Sequence, residues 1–172
     1  MAGIRRDRQA GISRRLMRLN LLAVGTKMPT WVNDGYEEYA KRLPRECQLV
    51  LQEIQPAKRG KSGHASQWVE EEGDRILAAT PSGHHIVSLD VTGKTWSTEQ
   101  LAEQMKNWFS DGRDVSLMIG GPDGLATKCS EIANQTWSLS ALTLPHPLVR
   151  IVVAEQLYRA WTVIHNHPYH RA

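Results

Sequence analysis

Two hydrophobic periods alternate along this chain, and that alternation restricts its fold more than any other feature. Short apolar runs at 19–24 (LNLLAV), 48–54, 85–90 (HIVSLD), 115–119 and 137–144 read as strands. Between and after them lie longer segments, 30–43, 64–79, 98–109, 125–135 and 148–164, whose apolar residues recur every three or four positions. In the last of these, Val149, Val152, Val153, Leu157, Trp161 and Ile164 follow that spacing. Pro44 stops the first helical segment, and Gly93 ends the connection after the third strand. Successive strands joined through helices favour parallel pairing. The expected fold is therefore an α/β domain with a mainly parallel sheet flanked by helices. A chain of 172 residues is enough for one such domain, burying roughly two-thirds of its unfolded surface.

Charge has to be read locally. The first sixteen residues hold Arg5, Arg6, Arg8, Arg14 and Arg15 against Asp7, a balance of +4, while the whole chain is +3. The remainder is close to neutral, so the net charge does not argue for nucleic acid; clustered cations do. Lys58, Arg59 and Lys61 form one cluster, and Arg150, Arg159 and Arg171 with the C-terminal histidines form another. Residues 1–16 lack the apolar core of a secretory signal and are expected to be a disordered basic extension, with a single domain at 17–172. No apolar run approaches the ~20 residues of a membrane span. Cys47 and Cys129 are too few for a disulfide framework or a four-cysteine zinc site, which fits a reducing cytoplasm.

Three segments combine the carboxyl ends of strands, or the chain terminus, with side chains suited to chemistry. IGGPDGL at 119–125 is a glycine turn that lets the backbone come close to a ligand, or is simply a tight turn. It lacks the pattern of a dinucleotide fingerprint or a P-loop. WSLSALTLPHPLVRIVVAEQLYRAW at 137–161 breaks an apolar run with Ser138, Ser140 and Thr143, and brackets His146 with two prolines. It also carries Glu155 and Arg159 at i,i+4, which reads equally as a solvated salt bridge. The tail, His165 to Arg171, is a poor frame for zinc, having no rigid element, no cysteine and no nearby acid. Its aromatic, imidazole and guanidinium groups suit stacking on a base and contacting phosphate, although termini commonly fray.

Together these segments resemble the RlmH (YbeA-like) branch of the SPOUT methyltransferases. The matching residues are LLAVGTKMPTWV at 21–32, AKRGK at 57–61, SLDVTGK at 88–94, DGRDVSLMIGGPDGL at 111–125, SLSALTLPHPLVRIVVAEQLYRAW at 138–161 and NHPYHR at 166–171. The resemblance implies a SPOUT α/β-knot fold whose C-terminal part threads a deep trefoil knot, an exception to the rule against knotted chains. It implies a homodimer, with each cofactor site near the subunit interface, and S-adenosyl-L-methionine as cofactor. Carried over by motif, the cofactor contacts fall on Leu89, Gly120, Leu139, Ser140, Ala141, Leu142, Thr143 and Leu144. The reaction implied is methylation at N3 of a pseudouridine in 23S rRNA on the assembled ribosome, with no metal and no membrane involved.

Within that frame His170 or His146 is expected to take the N3 proton, with water as an alternative acceptor. Arg159 or Arg171 would stabilise the base anion or hold the rRNA backbone, and Tyr169 would stack on or hydrogen-bond to the base. Lys58, Arg59, Lys61, Arg150, His167 and Arg171 are the expected RNA contacts. The reading requires a pocket between the glycine turn and the neighbouring strand-loop, opening toward the tail. Competing readings are a related enzyme acting on tRNA or another rRNA uridine, a non-catalytic ribosome-binding factor, and a metal-dependent hydrolase.

Overall fold

The computed structural model describes residues 16–171. Of the basic segment at 1–16 expected to be an extension, residues 1–15 lie outside the described residues, as does Ala172. Strands β1 (Leu19–Val24), β2 (Leu49–Ile54), β3 (His85–Thr95), β4 (Val115–Ile119) and β5 (Gln135–Ser138) form one sheet. Their order is β2-β1-β4-β3-β5 and every pairing is parallel. The helices are α1 (Thr30–Ala40), α2 (Ala65–Ala79), α3 (Thr98–Asp111), α4 (Thr127–Ile132) and α5 (His146–Ile164).

Strand periodicity divides the core between the two faces of this sheet. Leu19, Leu21 and Ala23 point into a cluster with Tyr36, Met105, Val153 and Leu157 from α1, α3 and α5. Leu22 and Val24 point the other way, onto Ile76, Ala126 and Cys129 around α2 and α4. All five residues of β4 are buried, as a central parallel strand covered on both faces requires. Burial also raises the thiols of Cys47 to about 12 and of Cys129 to about 11, and both are free. They remain uncharged and unreactive.

Several boundaries depart from the sequence expectation, and four of these reshape the ends of β3, β5 and the helices beside them. The run at 137–144 leaves the sheet after Ser138. Ser138 Oγ donates to the Ser140 carbonyl (2.9 Å), and the Leu142 N–H donates to Ser140 Oγ (3.0 Å). These side-chain bonds offer the backbone a turn in place of the ladder. The helix expected over 125–135 spans only Thr127–Ile132, because Asn134 bonds to the backbone of Ile86 and Gln135 opens β5. The last helix starts at His146 rather than Leu148, with Pro147 in its first turn, where a missing N–H costs no hydrogen bond. Finally, β3 continues past Asp90 to Thr95 over a register shift between Leu89 and Lys94.

Candidate active site

Two cavities adjoin each other at the carboxyl edge of the sheet, where ligands of open parallel sheets bind. The larger, about 620 Å³, lies over β3, β4 and β5. The smaller, about 410 Å³, lies beyond the ends of β1 and β2. Pro122 and His146 belong to the walls of both.

The larger cavity is built largely by backbone. After β4 the chain turns sharply, closed by a Gly124 N–H bond to the Gly121 carbonyl (3.0 Å). A Cβ on Gly120 would overlap the backbone of Gly124, and Gly124 itself adopts φ +97°, so this turn needs glycine at both ends. Opposite it, the loop from Leu139 to Pro145 supplies Leu139, Ser140, Leu142, Thr143 and Leu144 to the wall. Ala141 sits in the same loop, exposed and off the wall. Leu89 closes the floor, and the β3 bulge brings Asp90 and Val91 to the rim. Asp90 is a carboxylate that motif matching missed. Its Oδ1 accepts from the N–H (2.8 Å) and hydroxyl (2.6 Å) of Thr92, which fixes its direction. The strand-end position was the available signal. Trp137 lines the cavity and stacks on Trp96 with ring centroids 5.5 Å apart.

His146, the first residue of α5, is half-buried. Burial, then the charges of Arg150 and Arg59, hold its imidazole below the usual histidine range, with Glu72 opposing. Four residues on, Arg150 is 1% exposed and donates to Glu53 Oε2 (2.7 Å) and to the carbonyls of Gly25 (2.7 Å) and Val24 (3.3 Å). Expected to contact RNA, it instead ties the ends of β1 and β2 to α5. Arg59 stays exposed while bonded to Glu72 (2.9 Å), Asp123 (2.9 Å) and the Ala57 carbonyl. The buried Glu72 carboxylate also accepts the Ala57 N–H (3.0 Å), so this cluster locks the 56–61 loop to the glycine turn. Lys58 and Lys61 are exposed, consistent with the surface role expected of them.

The tail does not fray. It forms a single 3₁₀ turn, Pro168–Arg171, against the C-terminal half of α5. Tyr169 donates its hydroxyl to Glu155 Oε1 (3.0 Å), the same oxygen that accepts from Arg159 (2.6 and 2.9 Å). Its ring lies under the guanidinium groups of Arg159 (5.1 Å) and Arg42 (5.8 Å). Burial and the Glu155 carboxylate push the Tyr169 phenol up to about 12. His170 turns a buried Nδ1 inward without a partner, while His167 and Arg171 are exposed. Along α5, Arg159 stands roughly 20 Å from His146 at the helical rise, and Glu155, which holds Tyr169, roughly 14 Å. No tail residue lines either cavity, so within one chain the larger cavity and the tail do not share a cleft, contrary to the simplest form of the sequence expectation.

A glycine turn and a leucine-rich loop enclosing a cavity at the strand ends define a class of ligand-binding α/β protein, and similarity identifies the class. The family model described as "Predicted SPOUT methyltransferase" matches residues 17–170, and the chain belongs to that family. More particularly, it is 58% identical over 155 residues to the "Ribosomal RNA large subunit methyltransferase H" of Methylococcus capsulatus. That match covers 90% of this chain and all of the relative. Among solved structures, a probable rRNA-methyltransferase from Porphyromonas gingivalis matches with a TM-score of 0.53 at 13% identity, over 87% of this chain and 70% of that one. A probable methyltransferase from Bordetella pertussis Tohama I gives 0.52 at 13%, over 84% and 96%. At such identities these structures establish the fold alone. None of the described helices is long and apolar enough to cross a membrane.

Proposed function

We propose that this chain transfers a methyl group from S-adenosyl-L-methionine to N3 of a pseudouridine in 23S rRNA on the assembled ribosome. It would act in the cytoplasm as a homodimer. The observation that carries the reading is the larger cavity, placed at the strand ends of a SPOUT family chain. The residues present fit the cofactor. Leu89, Leu142 and Leu144 give apolar walls for the two faces of an adenine, while the backbone of 139–144 offers amide groups to its edge. Asp90 at the rim suits hydroxyl or ammonium groups. The glycine turn leaves room that a Cβ would close. When bound, the cofactor supplies an activated methyl group on a sulfonium centre.

The chain's own tasks are then placement, exclusion of water and proton removal. N3–H lies between two carbonyls and is a weak acid, so losing its proton creates the nucleophile. Since no tail residue lines the cavity of its own chain, Tyr169, His170 and Arg171 act across the dimer, each cavity being completed by the tail of a second copy. Glu155, Arg159 and Arg42 hold Tyr169 in place for that purpose. The dimer surface, Lys58, Lys61 and the tail dock the ribosome.

The test is transfer of a labelled methyl group to ribosomes that do or do not carry the pseudouridine. Label is expected only in the former, and weakly if at all in short naked RNA. Equal labelling of both ribosome preparations, or of a short oligonucleotide, would overturn the substrate assignment.

A further inference from the structure

The GTKMP turn at 25–29 and the AKRGK loop at 57–61 have no part in the cofactor cavity, yet they meet across the smaller one. This second cavity runs from Gly25, Thr26, Lys27 and Met28 to Lys58 and Arg59. Gly25 forms its floor at φ +121°, where a side chain would press on Met28 and on the Arg150 guanidinium. Above that floor sits His146, its Nε2 3.9 Å from where a Gly25 Cβ would stand. The imidazole therefore turns this nitrogen into the second cavity, while the same residue lines the first.

The charges around the cavity sort themselves. Arg59 is shared between Glu72 and Asp123, and Arg150 pairs with Glu53. Among the described residues Lys27 and Lys58 make no ion pair, and both are exposed at the cavity mouth. What results is a compartment next to the methyl-donor cavity, with a nitrogen base at the junction and two uncommitted ammonium groups outside.

We propose that this second cavity receives the acceptor nucleotide of the RNA, its base against His146 and its phosphates on Lys27 and Lys58. This rests on the methyltransferase reading above. The N3 proton passes to His146 Nε2, and the electron pair left on N3 forms the new N–CH₃ bond as the carbon–sulfur pair returns to sulfur. His146 then releases the proton to solvent. Placing the acceptor beside the donor, in a fixed orientation, makes the bimolecular step effectively unimolecular.

Two readouts on the full-length protein separate this proposal from the reading beneath it. The first is amine labelling with and without pseudouridine-bearing ribosomes. Labelling of Lys27 and Lys58 is expected to fall by about half or more, the share of one engaged protomer in a dimer, while Lys41 is unchanged. The second is single-turnover methyl transfer. The Lys27→Ala/Lys58→Ala variant is expected to need about 10-fold more ribosome for half-maximal rate, with cofactor affinity intact. His146→Gln should transfer about 100-fold more slowly while still binding cofactor and ribosome. Methyl transfer by the wild type with no lysine protection and no effect of these substitutions overturns the second cavity and leaves the methyltransferase reading standing. Protection without any transfer by the wild type keeps RNA in the cavity but removes the reaction. Neither protection nor transfer overturns both.

Discussion

The carboxyl edge of the sheet and the C-terminal tail are held by different means. Around the larger cavity, strand ends, a glycine turn and serine-closed backbone bonds set the shape. In the tail, one carboxylate, Glu155, gathers Arg159 and Tyr169, and two guanidinium groups close on the Tyr169 ring. Backbone-built sites tolerate little change of shape, because a Cβ in the wrong place meets atoms that cannot move aside. A tail held by side chains can lose one contact and keep its fold. The two regions should therefore fail differently: damage at the edge should abolish cofactor binding, and damage in the tail should slow transfer while cofactor affinity is retained.

The largest expected effect is at Gly120. Gly120→Val should lower affinity for S-adenosylmethionine roughly 100-fold, the equivalent of about 3 kcal/mol of overpacking, as read by calorimetric titration. Removal of residues 166–172 should leave that affinity within about 2-fold, since no tail residue is part of the cavity wall that holds the cofactor. A truncation that loses cofactor binding would erase the contrast.

Next comes Arg150, the joint beneath the edge. Arg150→Met strips Glu53 and two strand-end carbonyls of their donor, and should cost about 2–3 kcal/mol of stability. In a domain of this size that corresponds to a melting point lower by roughly 5–10 °C. A shift below about 1 °C would mean that the buried guanidinium is not what joins α5 to the sheet.

In the tail, Tyr169→Phe removes the hydroxyl bond to Glu155 while keeping the ring beneath Arg159. A cost of about 1 kcal/mol in positioning predicts transfer slowed about 5-fold with unchanged cofactor affinity, measured in single turnover. A larger loss in cofactor binding than in rate would count against a separate tail.

The smallest effect is pH-dependent. His146 is held below its ordinary value of 6.5, mainly by burial and then by Arg150 and Arg59 against Glu72. The unfolded chain takes up that proton more readily, so this contribution to stability is complete above about pH 6.5 and is lost as pH falls through the lowered folded value. Urea melts of wild type and His146→Gln between pH 5 and 7 should show the shallower acid loss in the variant. A steeper one would reverse the sign of the argument.

Much of the fold was legible from residue pattern. Strand-period and helix-period segments have distinct signatures, and β1, β4 and α3 fall where those periods put them. The errors cluster at 133–147, where Ser138, Ser140 and Asn134 divert the backbone through side-chain bonds that no hydrophobic period records. The wall of the larger cavity was reachable only through resemblance, because a leucine-rich run that leaves the sheet looks like one that stays in it. Arg150 was misread for a general reason. A cation in a sequence looks available, while the partners of Arg150 here come from 97 to 126 positions away. The second cavity drew on the same blindness: Lys27, Lys58 and His146 are far apart along the chain and meet only at the sheet edge.

The account turns on a cavity from one copy working with the tail of another, and mixed dimers test this directly. One protomer carries Gly120→Val and the other lacks residues 166–172, so that each homodimer is inactive alone. After unfolding and refolding together, random pairing should restore about a quarter of the wild-type methyl transfer to pseudouridine-bearing ribosomes, one intact composite site in half of the dimers. Activity no greater than that of the separate variants would contradict it.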